Sequence, residues 1–160
     1  MLKVIIIGIT KCGTTSLEKY LKGNGYEVKR EEQAYYQQVP EQIRKKYPGY
    51  SIHMILRDPV ERAWSHYHWD KYVVKRFNLP FEEAIFDYHD IIQNSRYDNF
   101  ITNWKPDHIW KLEEIQDLPI ENKGVYHEEL TDDRRTLLKK LINSPHIIPN
   151  LELKFNTRRY

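Results

Sequence analysis

Lys3-Val4-Ile5-Ile6-Ile7-Gly8, running directly into Ile9-Thr10-Lys11-Cys12-Gly13-Thr14-Thr15-Ser16-Leu17, is the stretch that decides the fold. The first part is a β-branched run without alternation, which predicts a strand over residues 3–8 buried on both faces. From Gly13 the pattern turns helical, with Leu17, Tyr20 and Leu21 at spacings of three and four, until Gly23-Asn24-Gly25 stops it. Between strand and helix, Gly8 and Gly13 bracket four residues, the spacing of a phosphate-binding loop. Glycines let the backbone turn tightly, so that successive N–H groups and the helix N-terminus surround an anion. Thr14, Thr15 and Ser16 add hydroxyl donors in the first helical turn.

The loop departs from that of a nucleoside triphosphatase. Such a loop needs lysine directly after its second glycine to reach the β- and γ-phosphates. Here Thr14 holds that position and the lysine lies inside the loop as Lys11. The arrangement suits one terminal phosphate with a cation at its mouth, and it counts against a nucleotide kinase.

Working outward, a short strand is expected near Tyr26–Lys29, an amphipathic helix over 38–47, and a central strand over Ser51–Leu56. Asp58-Pro59 reads as an N-cap followed by proline at the first helical position, starting a helix through the Trp64–Val74 region. Further helices are predicted from Pro80, over Tyr97–Trp104 and over Thr131–Ile142, with a last short strand at Gly124–His127. Strands alternating with helices predict an α/β fold, a single P-loop-like domain over residues 1–160 with a mostly parallel sheet covered on both faces. Ligands of such sheets bind at the carboxyl ends of the strands.

Composition narrows the class. At 160 residues the chain has the length of one domain, and 40% hydrophobic with 30% charged residues suits a globular protein rather than a disordered one. A net charge of +2 is too small to imply nucleic-acid binding, so a polyanion would need local basic residues. Cys12 is the only cysteine, which excludes an internal disulfide. No apolar run approaches the roughly 20 residues of a membrane span, and no cleavage region follows the short apolar start. The expectation is a cytoplasmic protein without a membrane partner.

A second basic motif follows the Ser51–Leu56 run: Arg57-Asp58-Pro59-Val60-Glu61-Arg62-Ala63-Trp64-Ser65-His66-Tyr67. Arg57 stands just past a strand end, and helical period brings Arg62 and Ser65 to one side of the next helix. A guanidinium presents a planar fork of donors to phosphate, each charge-assisted bond contributing about 1.5–3 kcal/mol.

Together the two segments resemble the donor-binding motifs of the PAPS-dependent sulfotransferase superfamily, especially its carbohydrate and heparan-type branch (PAPS is 3′-phosphoadenosine 5′-phosphosulfate). Gly8–Leu17 is similar to the 5′-phosphosulfate loop and Leu56–Tyr67 to the 3′-phosphate motif. Weaker similarities follow in order: Phe81-Glu82-Glu83-Ala84, then Ser95-Arg96-Tyr97 with Trp104, and Tyr126-His127-Glu128-Glu129-Leu130. The resemblance implies transfer of a sulfuryl group from PAPS to an acceptor hydroxyl or amine, releasing the 3′,5′-bisphosphate PAP, with no metal. It gives Lys11 the role of catalytic cation, and Cys12, Gly13, Thr14, Thr15 and Ser16 that of holding the 5′-phosphate. Arg57 and Ser65 would hold the 3′-phosphate.

Glu32, in Glu31-Glu32-Gln33-Ala34-Tyr35-Tyr36, resembles the presumed base of the family's E-x-x-F-F segment, with Glu31 as the alternate and a histidine as a third option. The seven histidines show no metal-ligand spacing. Arg158 and Tyr160 fit a late nucleotide loop of the family at two positions, while an asparagine-hydroxyl register fits the same tail. Trp104 and Tyr97 are candidates for stacking on adenine, with core packing as the alternative. The chain is short for the family, lacking the insertions that shape an acceptor pocket. A glycan or a small alcohol is the favoured acceptor, and a partner subunit, including a second copy of the chain, has room to complete the site. A catalytically silent PAPS- or PAP-binding module shares the donor motifs; Lys11 together with a base favours the enzyme.

Overall fold

The computed structural model describes residues 2–115 and 126–144. The chain gathers into two compact units, one with the described residues of 1–58 and 97–123, the other with those of 59–96 and 124–160.

The first unit carries the sheet. Strands β1 (Lys3–Ile6), β2 (Glu27–Arg30), β3 (Ser51–Leu56) and β4 (His108–Lys111) pair in the order β2-β1-β3-β4, every pairing parallel. The chain is therefore α/β with a central parallel sheet, as its strand–helix alternation predicts. Between β1 and β2 runs α1 (Thr14–Gly23); between β2 and β3 run the single turn α2 (Ala34–Gln37) and α3 (Pro40–Lys46). The first crossover moves to one side of β1 and the second moves back past it. With the right-handed crossovers that parallel strands require, α1 and the α2–α3 pair fall on opposite faces of the sheet.

Burial on both faces explains the composition of β1. Val4, Ile5 and Ile6 are all at most 1% exposed, and they share one core with Leu17 and Leu21 of α1, Ile43 of α3, Ile52, Met54 and Ile55 of β3, and Trp104. Trp104 ends a helix over Tyr97–Trp104 (α7 in chain order), and its indole N–H donates to the Tyr35 carbonyl at 3.1 Å. It is a core residue here, not a platform for adenine.

One strand goes unannounced by the sequence and one expected strand differs. The fourth strand is His108–Lys111, whose His-Ile-Trp-Lys pattern is too short and too mixed to announce itself; its neighbour β3 supplies the pairing, from His53↔His108 to Leu56↔Lys111. Of the strand expected at Gly124–His127, Tyr126 and His127 belong to no strand, and residues 124 and 125 lie outside the described residues, as do Arg158 and the rest of the basic tail.

The second unit is helical among its described residues: α4 (Pro59–His68), a π turn over Trp69–Val73, α5 (Phe81–Asp87), the single turn α6 (Asp90–Gln93) and α8 (Asp132–Ile142). Its core joins Trp64 and Tyr67 of α4 to Phe81, Ile85, Ile91, Ile92 and Leu138. The amide of Val74 donates to the Trp69 carbonyl at 2.9 Å, the wider loop that marks the π turn. α8 begins where the sequence places it: the Thr131 hydroxyl accepts from the Arg134 N–H at 3.2 Å, with Asp132 and Asp133 in the first turn and Lys139 and Lys140 in the last, all favourable to the helix dipole. None of the described helices is long and apolar enough to cross a membrane.

Candidate anion-binding site at the β1 and β3 strand ends

In the first unit, the chain leaves β1 toward β2 on one side, while β3 is followed in the sheet by β4 on the other. The crevice beyond the carboxyl ends of β1 and β3 is thus the switch point where open parallel sheets bind ligands. Backbone bonds extend the ladder up to the loop: the Ile55 amide donates to the Gly8 carbonyl at 2.9 Å and the Ile9 amide to the Ile55 carbonyl at 3.2 Å. The base of the loop is therefore as fixed as the sheet.

Beyond it the backbone turns hard. Gly8 (φ 140°), Lys11 (φ 64°) and Gly13 (φ 99°) all lie at positive φ. Lys11 is the informative member, since a residue with a Cβ in this region costs about 1–2 kcal/mol. Strain of this kind gathers at functional positions, where the surrounding structure over-determines it. Gly13 is the N-cap of α1 and has no side chain with which to cap it. Thr14 and Ser16 are buried in the first turn, while Lys11 and Thr15 are half-buried.

Arg57, directly after β3, comes to the same place. Its guanidinium donates to the Lys11 carbonyl at 3.5 Å, a long bond, and its own carbonyl accepts from the Tyr97 hydroxyl at 2.6 Å. The Tyr97 hydroxyl also lies 3.6 Å from the Cys12 sulfur. Tyr97 therefore ties the β1–α1 loop to the residue after β3, a bracing part where the sequence alone suggests only a stacking or packing ring. The Lys11 turn and the Arg57 guanidinium belong to one corner of the sheet.

The acidic pair separates cleanly. Glu31 turns to Lys46 at 2.5 Å and the Tyr47 hydroxyl at 2.6 Å, and these two donors hold its carboxyl below the usual carboxylate range. Glu32 turns to the loop: the Thr14 hydroxyl donates to one of its oxygens at 2.6 Å, and Arg30 donates to the other at 2.6 Å. Arg30 is a site residue that no motif of the sequence announces; its other donor reaches the Thr15 hydroxyl at 3.1 Å. Behind Glu32, the Tyr35 ring presses on Gly8 so closely that a Cβ there would sit 2.4 Å from it. The Glu32–Tyr36 segment is thus registered against the phosphate loop by contact as well as by hydrogen bonds.

Ser65 and Arg62 belong to the second unit. Ser65 is half-buried on α4. Arg62 does not share a ligand-facing side with it, contrary to the expectation from helical period. It is 0% exposed and donates to the Ile91 carbonyl at 2.9 Å, the Ser95 hydroxyl at 2.8 Å and His66 Nδ1 at 2.5 Å. Because guanidinium only donates, His66 Nδ1 must be the acceptor, leaving its proton on Nε2 facing Asp70 at 3.1 Å.

Arg76 closes the network, pairing Asp70 and Asp90 at 2.9 Å each. Among the described residues, His66, Asp70 and Asp90 are the group close enough to ligate a metal. Spacing among histidines alone does not reveal such a mixed trio. Here Arg76 pairs both carboxylates directly and Arg62 reaches Asp70 through His66, so two guanidinium groups balance two buried carboxylates and the trio reads as structural.

A scan against protein-family models and a search of curated proteins each gave no match. Among solved structures, the chain is similar in fold to the crystal structure of a sulfotransferase from Alicyclobacillus acidocaldarius, with a TM-score of 0.67 over 89% of this chain and 91% of that one, at 17% sequence identity.

Proposed function

We propose that this protein is a sulfotransferase that takes a sulfuryl group from PAPS, passes it in line to an acceptor hydroxyl or amine, and releases PAP. The observation that supports this most is the strained Lys11 turn with the Arg57 guanidinium against its carbonyl at the β1 and β3 strand ends, in a loop without the lysine that a kinase loop uses. The shared fold with a sulfotransferase agrees with it.

In this reading the loop N–H groups of Cys12 and Gly13, with Thr14, Thr15 and Ser16, hold the 5′-phosphate. Arg57 binds the 3′-phosphate, and Ser65 and Arg158 are assigned to the nucleotide by sequence alone. Glu32 takes the acceptor proton. The acceptor oxygen forms the new bond to sulfur as the bond between sulfur and the bridging oxygen breaks, its electron pair leaving on the phosphate. Lys11 stabilises that developing charge, the interaction that matters most where water is excluded. Neither a metal nor a covalent enzyme intermediate is required, since positioning and electrostatics supply the rate. The acceptor class we favour is a glycan or small alcohol, in line with the carbohydrate and heparan-type motifs. A cytoplasmic setting fits a chain whose one cysteine is buried and outside any disulfide.

Glu32 rather than Glu31 is the base, because Glu31 is committed to Lys46 and Tyr47 while Glu32 lies against the loop. The test is PAP release from PAPS with a pool of a phenol, a primary alcohol, an amine and a heparan-type disaccharide. Lys11→Ala is expected to lower turnover by about 100-fold or more while PAP affinity stays within a few-fold. Unchanged turnover in that variant would remove Lys11 from the chemistry. PAP binding with no turnover in the unmodified protein would identify a silent binding module instead.

A further inference from the structure

One charged group of the site has no task in the transfer as described. Arg30 closes β2, opposite Ile6 at the end of β1, and the next amide, that of Glu31, still donates to the Ile6 carbonyl at 2.9 Å. Its backbone is thus held by the sheet up to the point where the side chain leaves it. The fork of that side chain divides. One nitrogen donates to Glu32 Oε2 at 2.6 Å; the other donates to the Thr15 hydroxyl at 3.1 Å and lies 3.5 Å from Glu18 Oε1. Glu32 Oε1 is taken by the Thr14 hydroxyl. Both oxygens of the base are therefore engaged, one by the loop and one by β2, and each keeps a second lone pair for an incoming proton.

Resting on the sulfotransferase reading, we propose that Arg30 is a positioning residue that acts through Glu32, holding its carboxylate against the first turn of α1 in the orientation that takes the acceptor proton. Three features argue for this over an ordinary ion pair. The pair is only a quarter to a third exposed, with Arg30 at 25% and Glu32 at 32%. The guanidinium fork spans two partners on different elements, which a point charge does not do. Glu18, itself 3.5 Å from Lys22, lies 3.5 Å from the Arg30 nitrogen that reaches Thr15, a second α1 partner for that arm of the fork. Arg30 thereby couples the hydroxyl shell of the loop to the base, so that the same first turn carries donor-facing and acceptor-facing groups in fixed register.

A double-mutant cycle on PAP release from PAPS, with the acceptor pool named above, tests it. Arg30→Gln is expected to lower turnover by about 10-fold or more in the wild-type background and by less than about 2-fold when Glu32 is already Gln. PAP affinity, read by calorimetry, should stay within about 3-fold throughout, and Arg30→Lys should recover only part of the loss. Equal losses in both backgrounds would overturn the proposal, since Arg30 would then act independently of Glu32. A loss of PAP affinity matching the loss of turnover would also overturn it, making Arg30 a donor ligand. Failure of the unmodified protein to bind PAP at all would defeat the reading underneath, an outcome distinct from either of these.

Discussion

Arg57 and Arg62 stand in one short motif of the sequence, yet the two units of the molecule use them in opposite ways. In the first unit Arg57 follows a strand end, half-buried, and among the described residues its guanidinium makes one long bond, to the Lys11 carbonyl. In the second unit Arg62 has no exposure, and its donors go to Ile91, Ser95 and His66 inside a charge-balanced network. A basic motif in a sequence thus mixes ligand-facing and scaffold-facing cations. Only burial and the number of committed donors separate them.

Substitution should make that contrast measurable. Arg62→Met takes a buried donor from the Ile91 carbonyl, the Ser95 hydroxyl and His66 Nδ1 and one positive charge from the network, and is expected to cost about 3–5 kcal/mol in denaturant unfolding. Arg57→Met should change stability by less than about 1 kcal/mol while weakening PAP binding by roughly 10-fold or more. Similar stability losses in both variants would erase the distinction.

The loop offers a second contrast, between glycines. Gly8 sits at φ 140° with the Tyr35 ring against it, so Gly8→Ala is expected to lose about 2–4 kcal/mol by thermal or chemical unfolding. Gly23, at the end of α1, has nothing within 4 Å of an added Cβ, and Gly23→Ala should leave stability unchanged or raise it by about a few tenths of a kcal/mol.

Protonation separates the sheet from its surroundings more gently. Burial, with the neighbouring His108 adding to it, lowers the pKa of His53 from 6.5 to about 4. The Trp110 indole N–H donates to His53 Nδ1 at 2.9 Å, which requires the unprotonated nitrogen there. The unfolded chain binds this proton more readily than the folded one. The stabilisation is therefore full above pH 6.5 and is lost as pH falls from 6.5 toward about 4. Urea unfolding at about pH 7.5 and about pH 5 should differ by about 1–2 kcal/mol from this group, and His53→Gln should shrink the difference. A variant with the same pH dependence as the parent would rule His53 out as its source.

The smallest effect concerns Lys11 itself. Lys11→Gly relieves a positive φ, and stability should rise by up to about 1 kcal/mol even as turnover is lost. Opposite signs for stability and activity at one position are what a strained functional residue predicts.

Much of the molecule is legible in the sequence where one physical rule dominates. The β-branched run of β1, the Thr131 cap of α8 and the bounds Ser51–Leu56 and Tyr97–Trp104 follow from burial, capping and helix-breaking residues acting alone. β4 is not legible, because four mixed residues become a strand only through pairing with β3. The same holds at the site. The loop glycines and Lys11 are local features, whereas Arg30 meets Thr15 of α1 only because β2 pairs beside β1, and Arg62 turns inward because His66, Ile91 and Ser95 await it. Helical period gives the side of a helix but not what that side meets.

Binding of PAP measured by calorimetry beside AMP, ADP and ATP with Mg²⁺ tests the central claim most directly. The expected result is a PAP dissociation constant in the micromolar range, about −8 kcal/mol, with clear preference over every nucleotide that lacks the 3′-phosphate and loss of that preference in Arg57→Met. ATP with Mg²⁺ binding as tightly as PAP, or more tightly, would contradict it.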